Sequence, residues 1–117
     1  MKLNLSLKEP HIATIDYLKE KYSITSDEEV ITKFIKLALE LNKNDLIFAT
    51  EREKCSGGCF ASEPKFEIDI DEDDFEILNK IFKDYDFDDY ETEEKQVSKV
   101  IRCIFNFIDD EPHLITV

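Results

Sequence analysis

Glycine is scarce in this sequence, and its scarcity excludes several classes of enzyme. Only two of the 117 residues are glycine, and they stand side by side at Gly57 and Gly58. A phosphate-binding loop or a nucleophile elbow needs glycines at set spacings, and the sequence has neither motif. The two histidines, His11 and His113, stand far apart and form no histidine–carboxylate pattern. We therefore expect a protein that is not an enzyme and needs no cofactor.

Long apolar runs and paired cysteines are also scarce. No apolar run approaches the roughly 20 residues that span a membrane. The first residues, Met-Lys-Leu-Asn, lack the apolar core of a secretory signal. Three cysteines, an odd number, fit a reducing compartment better than a disulfide framework. These features predict a cytoplasmic protein that does not enter a membrane.

Basic residues are few in the second half of the chain. Residues 1–58 carry 9 Lys and Arg against 10 Asp and Glu, a net charge of −1. Residues 59–117 carry 6 against 18, a net charge of −12. A protein that binds nucleic acid phosphates needs a basic surface, and here only the first half can supply one.

Two short stretches alternate apolar and polar residues, as half-buried strands do. In the first stretch the apolar residues are Leu3, Leu5 and Leu7, and the polar ones are Lys2, Asn4, Ser6 and Lys8. In the second stretch, residues 65–71, the apolar residues are Phe66, Ile68 and Ile70, and the acidic ones are Glu67, Asp69 and Asp71. The polar face of the strand is thus basic in the first stretch and acidic in the second.

Each predicted strand is followed by two helix-like segments. Glu9-Pro10 starts the first helix, because proline is tolerated in a first turn. Thr25 or Ser26 caps the second helix, and each has a glutamate three residues later. The same apolar stripe recurs in the second half on both sides of a short insertion within residues 86–91. This match favours an internal duplication.

The duplication divides the chain into three predicted parts. They are a first repeat over residues 1–43, a connector over 44–64, and a second, strongly acidic repeat over 65–117. The connector is long for a compact domain and contains Cys55 and Cys59. These two cysteines are weak candidates for zinc binding, because no second pair completes the usual four ligands. They can equally form a disulfide or remain thiols, and we expect no metal site.

The repeated unit, a short strand, a helix, a capped turn and a longer apolar helix, resembles the ribbon–helix–helix superfamily of repressors. In that superfamily two copies pair their strands into an antiparallel ribbon over four helices, and normally two chains supply them. The resemblance implies an α+β fold in which one chain forms a pseudo-dimer over residues 2–41 and 65–110. The turn between the helices lacks the glycine common in the family, and the insertion is a further departure.

The resemblance also implies where DNA would bind. Family members place the outward residues of the ribbon in the major groove. By position these are Lys2, Asn4 and Ser6 in one strand and Lys65, Glu67 and Asp69 in the other. The first set suits base edges, whereas carboxylates beside phosphates add repulsion. The starts of the longer helices, which bind the DNA backbone in the family, are acidic as well. We therefore expect family-type operator binding to be lost.

The acidic residues support two functional interpretations and a plainer one. The first is a surface for a basic protein partner, formed by Glu67, Asp69, Asp71, Asp73 and Asp74. The second is a calcium loop that begins at Asp84, but it lacks the central glycine and has Lys95 at its last ligand position. The plainer interpretation is a solvated face that keeps the protein soluble.

Two functions follow from these patterns. The first is a non-enzymatic regulatory module, of the antitoxin, inhibitor or DNA-mimic class, that binds a basic protein partner. The alternative is a transcriptional repressor that reads DNA through Lys2, Asn4, Ser6 and Lys8. Such a repressor would assemble into homo-oligomers that bring several basic strands together.

Overall fold

The computed structural model describes residues 1–5, 7, 9–49, 66–85 and 92–115. Its elements in chain order are β1 (Lys2–Leu5), α1 (Glu9–Lys21), α2 (Asp27–Glu40), a π-helical turn (Asp45–Ala49), β2 (Phe66–Asp69), α3 (Glu72–Asp84) and α4 (Glu93–Asp110). The protein is α+β and mostly helical, as the sequence predicts. Within the described ranges no helix is long and apolar enough to cross a membrane.

Several predicted features lie outside the described residues. These are Ser6, Lys8, Lys65, Cys55, Cys59, most of the connector, and the insertion within residues 86–91. What the sequence predicts for them stays a prediction, and so do the duplication and the division into three parts.

The strands β1 and β2 form a two-stranded antiparallel sheet. Their register pairs Lys2 with Asp69, Leu3 with Ile68, Asn4 with Glu67, and Leu5 with Phe66. Successive side chains of a strand point to opposite faces, and Leu3, Leu5 and Ile68 are buried. The predicted antiparallel ribbon is therefore confirmed, and its polar residues share the outward face.

Local sequence explains how α1 ends and α2 begins. The hydroxyl of Ser26 accepts a hydrogen bond from the N–H of Glu29 at 3.3 Å, which caps α2 as predicted. Beyond the end of α1, Ser23 has a φ of 55°, and the N–H of Ile24 donates to the carbonyl of Lys19 at 2.9 Å. Glycine usually occupies such a left-handed position. Here the turn closes on serine, at some conformational cost.

Helix α4 lies at the centre of the molecule. It packs against α1, α2, α3, β1 and the π-helical turn, and every residue from Val97 to Ile108 is buried. The buried run includes four polar residues, Ser98, Lys99, Arg102 and Asn106. Each of the four has an interaction partner, which offsets the cost of removing a polar group from water.

The two halves of the chain interleave around this helix. Helix α2 packs beside β2, and α4 packs beside β1, so that each of these helices contacts the strand of the other half. The first helix of each half packs on the second, and α1 also contacts α4. One hydrophobic cluster therefore contains residues from both halves, and the ribbon rests on a shared core.

Tyr85, the residue after α3, anchors the π-helical turn. Its hydroxyl donates a hydrogen bond to the carboxylate of Asp45, and its ring centroid lies 5.8 Å from that of Phe48. The hydrogen bond to Asp45 favours the protonated hydroxyl and raises the pKa of Tyr85 to about 12. The segment that follows α2 is thus a packed turn, held from the end of α3.

This contact predicts a loss of stability in alkaline solution. Because the pKa of Tyr85 is raised in the folded state, its contribution is complete below about pH 10 and is lost as the pH rises through about 12. Urea unfolding at stepped pH should show the free energy of unfolding falling over this range, and falling less steeply for Y85F. Equal slopes for the two proteins would mean that the hydroxyl of Tyr85 does not bind Asp45.

Candidate functional site

The outward face of the ribbon brings residues of both predicted sites together. Lys2 and Asn4 of β1 are exposed, and they lie opposite Asp69 and Glu67 of β2. The predicted basic and acidic residues therefore form one mixed surface, although they are far apart in sequence. We call these four residues the ribbon face.

Ion pairs join the charges of the ribbon face to cations of the same chain. The Nζ of Lys2 lies 3.1 Å from the Oε1 of Glu67, and the amino-terminal ammonium of Met1 lies 2.8 Å from the Oδ1 of Asp69. The hydrogen bond to Glu67 raises the pKa of Lys2, and the hydrogen bond from the ammonium lowers the pKa of Asp69. Because Lys2 is already paired with the carboxylate of Glu67, it offers less positive potential to a phosphate.

A glutamate covers the outer edge of each strand. The N–H groups of alternate residues in an antiparallel pair point away from the partner strand, and those of Asn4 and Asp69 do so here. Glu94 of α4 accepts the N–H of Asn4 at 2.9 Å, and Glu28 of α2 accepts the N–H of Asp69 at 2.6 Å. We call Glu28 and Glu94 the rim glutamates. They place negative charge along both sides of the ribbon and occupy edge groups to which another strand could pair.

The rim glutamates belong to helix starts that are acidic throughout. The first turn of α2 carries Asp27, Glu28 and Glu29, and the first turn of α4 carries Glu93 and Glu94. The hydroxyl of Thr92 caps α4 by accepting the N–H of Lys95 at 3.2 Å, as Ser26 caps α2. A helix N-terminus attracts anions, and here the protein's own carboxylates and caps already occupy that position.

The acidic residues at the start of α3 are held by a lysine of α2. The Nζ of Lys36 lies 2.7 Å from the Oδ2 of Asp71 and 2.7 Å from the Oδ2 of Asp74. These two hydrogen bonds raise the pKa of Lys36 above its ordinary value. Asp73 is exposed, and among the residues that the structure describes it has no ionic partner. Four of the five predicted partner-binding acids therefore already have a cation from their own chain.

Sequence reasoning missed Lys36 and the contacts of the rim glutamates. The capping pattern places Glu28 and Glu94 in first turns, but their contact with the strand edges depends on how the two halves interleave. Lys36 lies on the helix that packs beside β2. Alternation and capping patterns carry no signal for such a contact between helices.

The described ranges contain no group of three or more His, Cys, Asp or Glu that could hold a metal ion. Cys103 is buried within α4, where a small apolar side chain fits the core. The weak metal candidates Cys55 and Cys59 lie outside these ranges.

The chemistry of the candidate site is ionic. It consists of carboxylates, two lysines and an amide, which suit the binding of cationic groups and N–H donors. Negative charge on the rim surrounds a ribbon face whose own charges are paired. No protein-family model, curated protein or solved structure matches this chain.

Proposed function

We propose that the protein is a non-enzymatic regulatory module that binds a basic protein partner through the ribbon face, the rim glutamates and the start of α3. The observation that carries this proposal is the position of the rim glutamates, whose carboxylates lie 2.6 Å and 2.9 Å from strand N–H groups on opposite edges. A partner that approaches the ribbon meets negative charge on both sides. Such complementarity selects the partner and speeds association.

The ion pairs of the site are compatible with this role. The side chains of Lys2 and Glu67 are more than half exposed, at 76% and 57%, and exposed pairs contribute little free energy because water screens them. A basic group of a partner can therefore replace Lys2 on Glu67 at small cost. Binding is then an exchange of cations on a preformed acidic surface.

DNA recognition is the second candidate function. Lys2 and Asn4 point outward, and their side chains suit guanine and adenine edges. However, Lys2 is engaged with Glu67, and the rim glutamates lie where flanking phosphates would approach. Each such carboxylate adds repulsion and releases no counterion. A repressor would need the basic strands of several copies, and for this reason DNA recognition ranks second.

We also propose that the ribbon and its four α-helices form a single-chain ribbon–helix–helix pseudo-dimer. The support is the element order, the antiparallel pairing of β1 with β2, and the packing of α2 beside β2 and of α4 beside β1. On this proposal the rim glutamates stand at the helix starts that hold the DNA backbone in the superfamily. The rim glutamates then indicate a scaffold that binds a basic protein in place of DNA.

A titration with short labelled peptides tests the proposed function. At about 150 mM salt, where weak surface attraction is screened, a lysine- and arginine-rich peptide should give a saturable change in fluorescence anisotropy. A peptide of the same length with glutamate at the basic positions serves as the control and should give none. Failure of the basic peptide to bind, or equal signals from both peptides, would contradict the proposal.

A further inference from the structure

Lys36 of α2 reaches the start of α3 and binds two carboxylates there at once. Its Nζ lies 2.7 Å from the Oδ2 of Asp71 and 2.7 Å from the Oδ2 of Asp74. Lys2, by contrast, pairs with a single carboxylate over the described residues, that of the exposed Glu67. A partner's basic group therefore replaces Lys36 less easily than it replaces Lys2.

The contact of Lys36 is shielded from water on one side and open on the other. The side chain of Asp74 is only 16% exposed, and a carboxylate with restricted hydration depends more on its cation than an exposed one does. Asp71 is exposed, and the side chain of Lys36 is 48% exposed. A competing cation can thus approach the two carboxylates, but it must take the place of an ammonium that is already bound.

Asp71 gives up a second role that its position offers. It is the N-cap residue of α3, yet its side chain makes no capping hydrogen bond. Ser26 and Thr92, in the same position, cap α2 and α4, and aspartate caps a helix as well as serine does. The carboxylate of Asp71 therefore has two alternative partners, the ammonium of Lys36 and the N–H groups at the start of its own helix. In the structure it binds the ammonium.

We propose that Lys36 competes with the basic partner for the start of α3, an inference that rests on the proposed function. A partner cation that binds Asp71 and Asp74 must displace the ammonium of Lys36, and this requirement lowers the partner's apparent affinity. An isolated basic group gains too little to displace an ammonium that is bound twice. A segment of clustered basic residues also gains contacts with Glu67 and Asp69. Lys36 therefore makes the surface selective for partners whose basic residues are clustered.

The fold should survive the loss of this lysine. Lys36 is exposed and lies outside the hydrophobic core, and methionine matches it in length and in helix propensity. The carboxylates that it releases stand at the start of α3, where the helix dipole stabilises negative charge. Asp71 also becomes free to cap the helix. The substitution K36M thus removes the competing ammonium and little else.

K36M and a matched control, K33M, test the proposal in the full chain. Lys33 is exposed on the same helix, about one turn earlier, and has no ionic partner within the described ranges, so the two variants change the net charge equally. At about 150 mM salt, K36M should bind the lysine- and arginine-rich peptide about tenfold more tightly than the wild type, the effect of one charge-assisted hydrogen bond. K33M should stay within about threefold of the wild type. K36R, which keeps the charge and the donors, should keep the wild-type affinity.

NMR of the wild type during the same titration follows the lysine without any variant. The signals of the Cε methylene of Lys36 should shift as the peptide saturates the protein, while those of Lys33 stay in place. A K36M affinity no higher than that of K33M overturns the competition by Lys36 and leaves the proposed function standing. So does an unmoved Lys36 signal when the amides of Glu67 and Asp69 shift. Absence of binding by all of these proteins overturns the competition and the proposed function together.

Discussion

Truncation of Phe105 to alanine should cost about 3–5 kcal/mol of the free energy of unfolding, as expected for a large side chain in a packed core. Phe105 is 0% exposed and lies in α4, the helix that contacts β1, the π-helical turn and all three other α-helices. Removing its ring leaves a cavity that the surrounding elements cannot close without moving one another. Because a domain of this size is stable by only about 5–15 kcal/mol in total, the variant should lose a large share of its stability.

Ile77→Ala is the matched control for this substitution. Ile77 lies on α3 and is 44% exposed, so its truncation should change the free energy of unfolding by no more than about 0.5 kcal/mol. Urea unfolding followed by circular dichroism measures both values. Similar losses for F105A and I77A would contradict a shared core centred on α4.

Substitution of Glu67 and Asp69 in β2 by lysine should have the largest effect on partner binding. In E67K/D69K two carboxylates of the ribbon face become cations, next to Lys2 and the Met1 ammonium. A basic partner then meets like charges where it met complementary ones, and its affinity should fall at least about a hundredfold. The fold should persist, since the ion pairs lost are exposed and the buried face of the ribbon is unchanged.

Anisotropy titrations with the lysine- and arginine-rich peptide measure this effect. E20K/E40K serves as the control, because it changes the net charge equally but on α1 and α2, and it should keep affinity within about threefold, as expected for distant surface charges. An equal loss in both variants would mean that overall charge governs binding. Full affinity in E67K/D69K would mean that the ribbon face takes no part. The DNA-reading alternative predicts that E67K/D69K leaves or improves DNA binding.

The sequence predicts both strands of the ribbon and which face of each strand is buried. The alternation of apolar and polar residues carries that information directly. Leu3 and Ile68 are buried and Asn4 and Glu67 are exposed, as the period of two requires. Ser26 caps α2 as the capping pattern predicts. The burial of Lys99 and Arg102 in α4 has no such signal. It follows from the central position of that helix, which only tertiary packing decides.

The residue types of the candidate site were predictable from the sequence, but the ion pairs that its carboxylates form with lysines were not. The acidic set at Glu67, Asp69 and Asp71 is visible from residue types alone. That Lys2 binds Glu67 and that Lys36 binds Asp71 depends on strand register and on the packing of α2 beside β2. Sequence patterns describe one element at a time, whereas these features lie between elements.

The central claim is that the rim glutamates prevent the ribbon from binding nucleic acid. Fluorescence anisotropy of a labelled generic DNA duplex tests this claim most directly. The duplex is titrated with the full chain at about 50 mM and at about 200 mM salt, a range over which phosphate contacts lose most of their affinity. With carboxylates on both edges of the ribbon, the titration should be flat at both concentrations. Binding at low salt that falls steeply at high salt would contradict the account and would make Lys2 and Asn4 the residues to mutate.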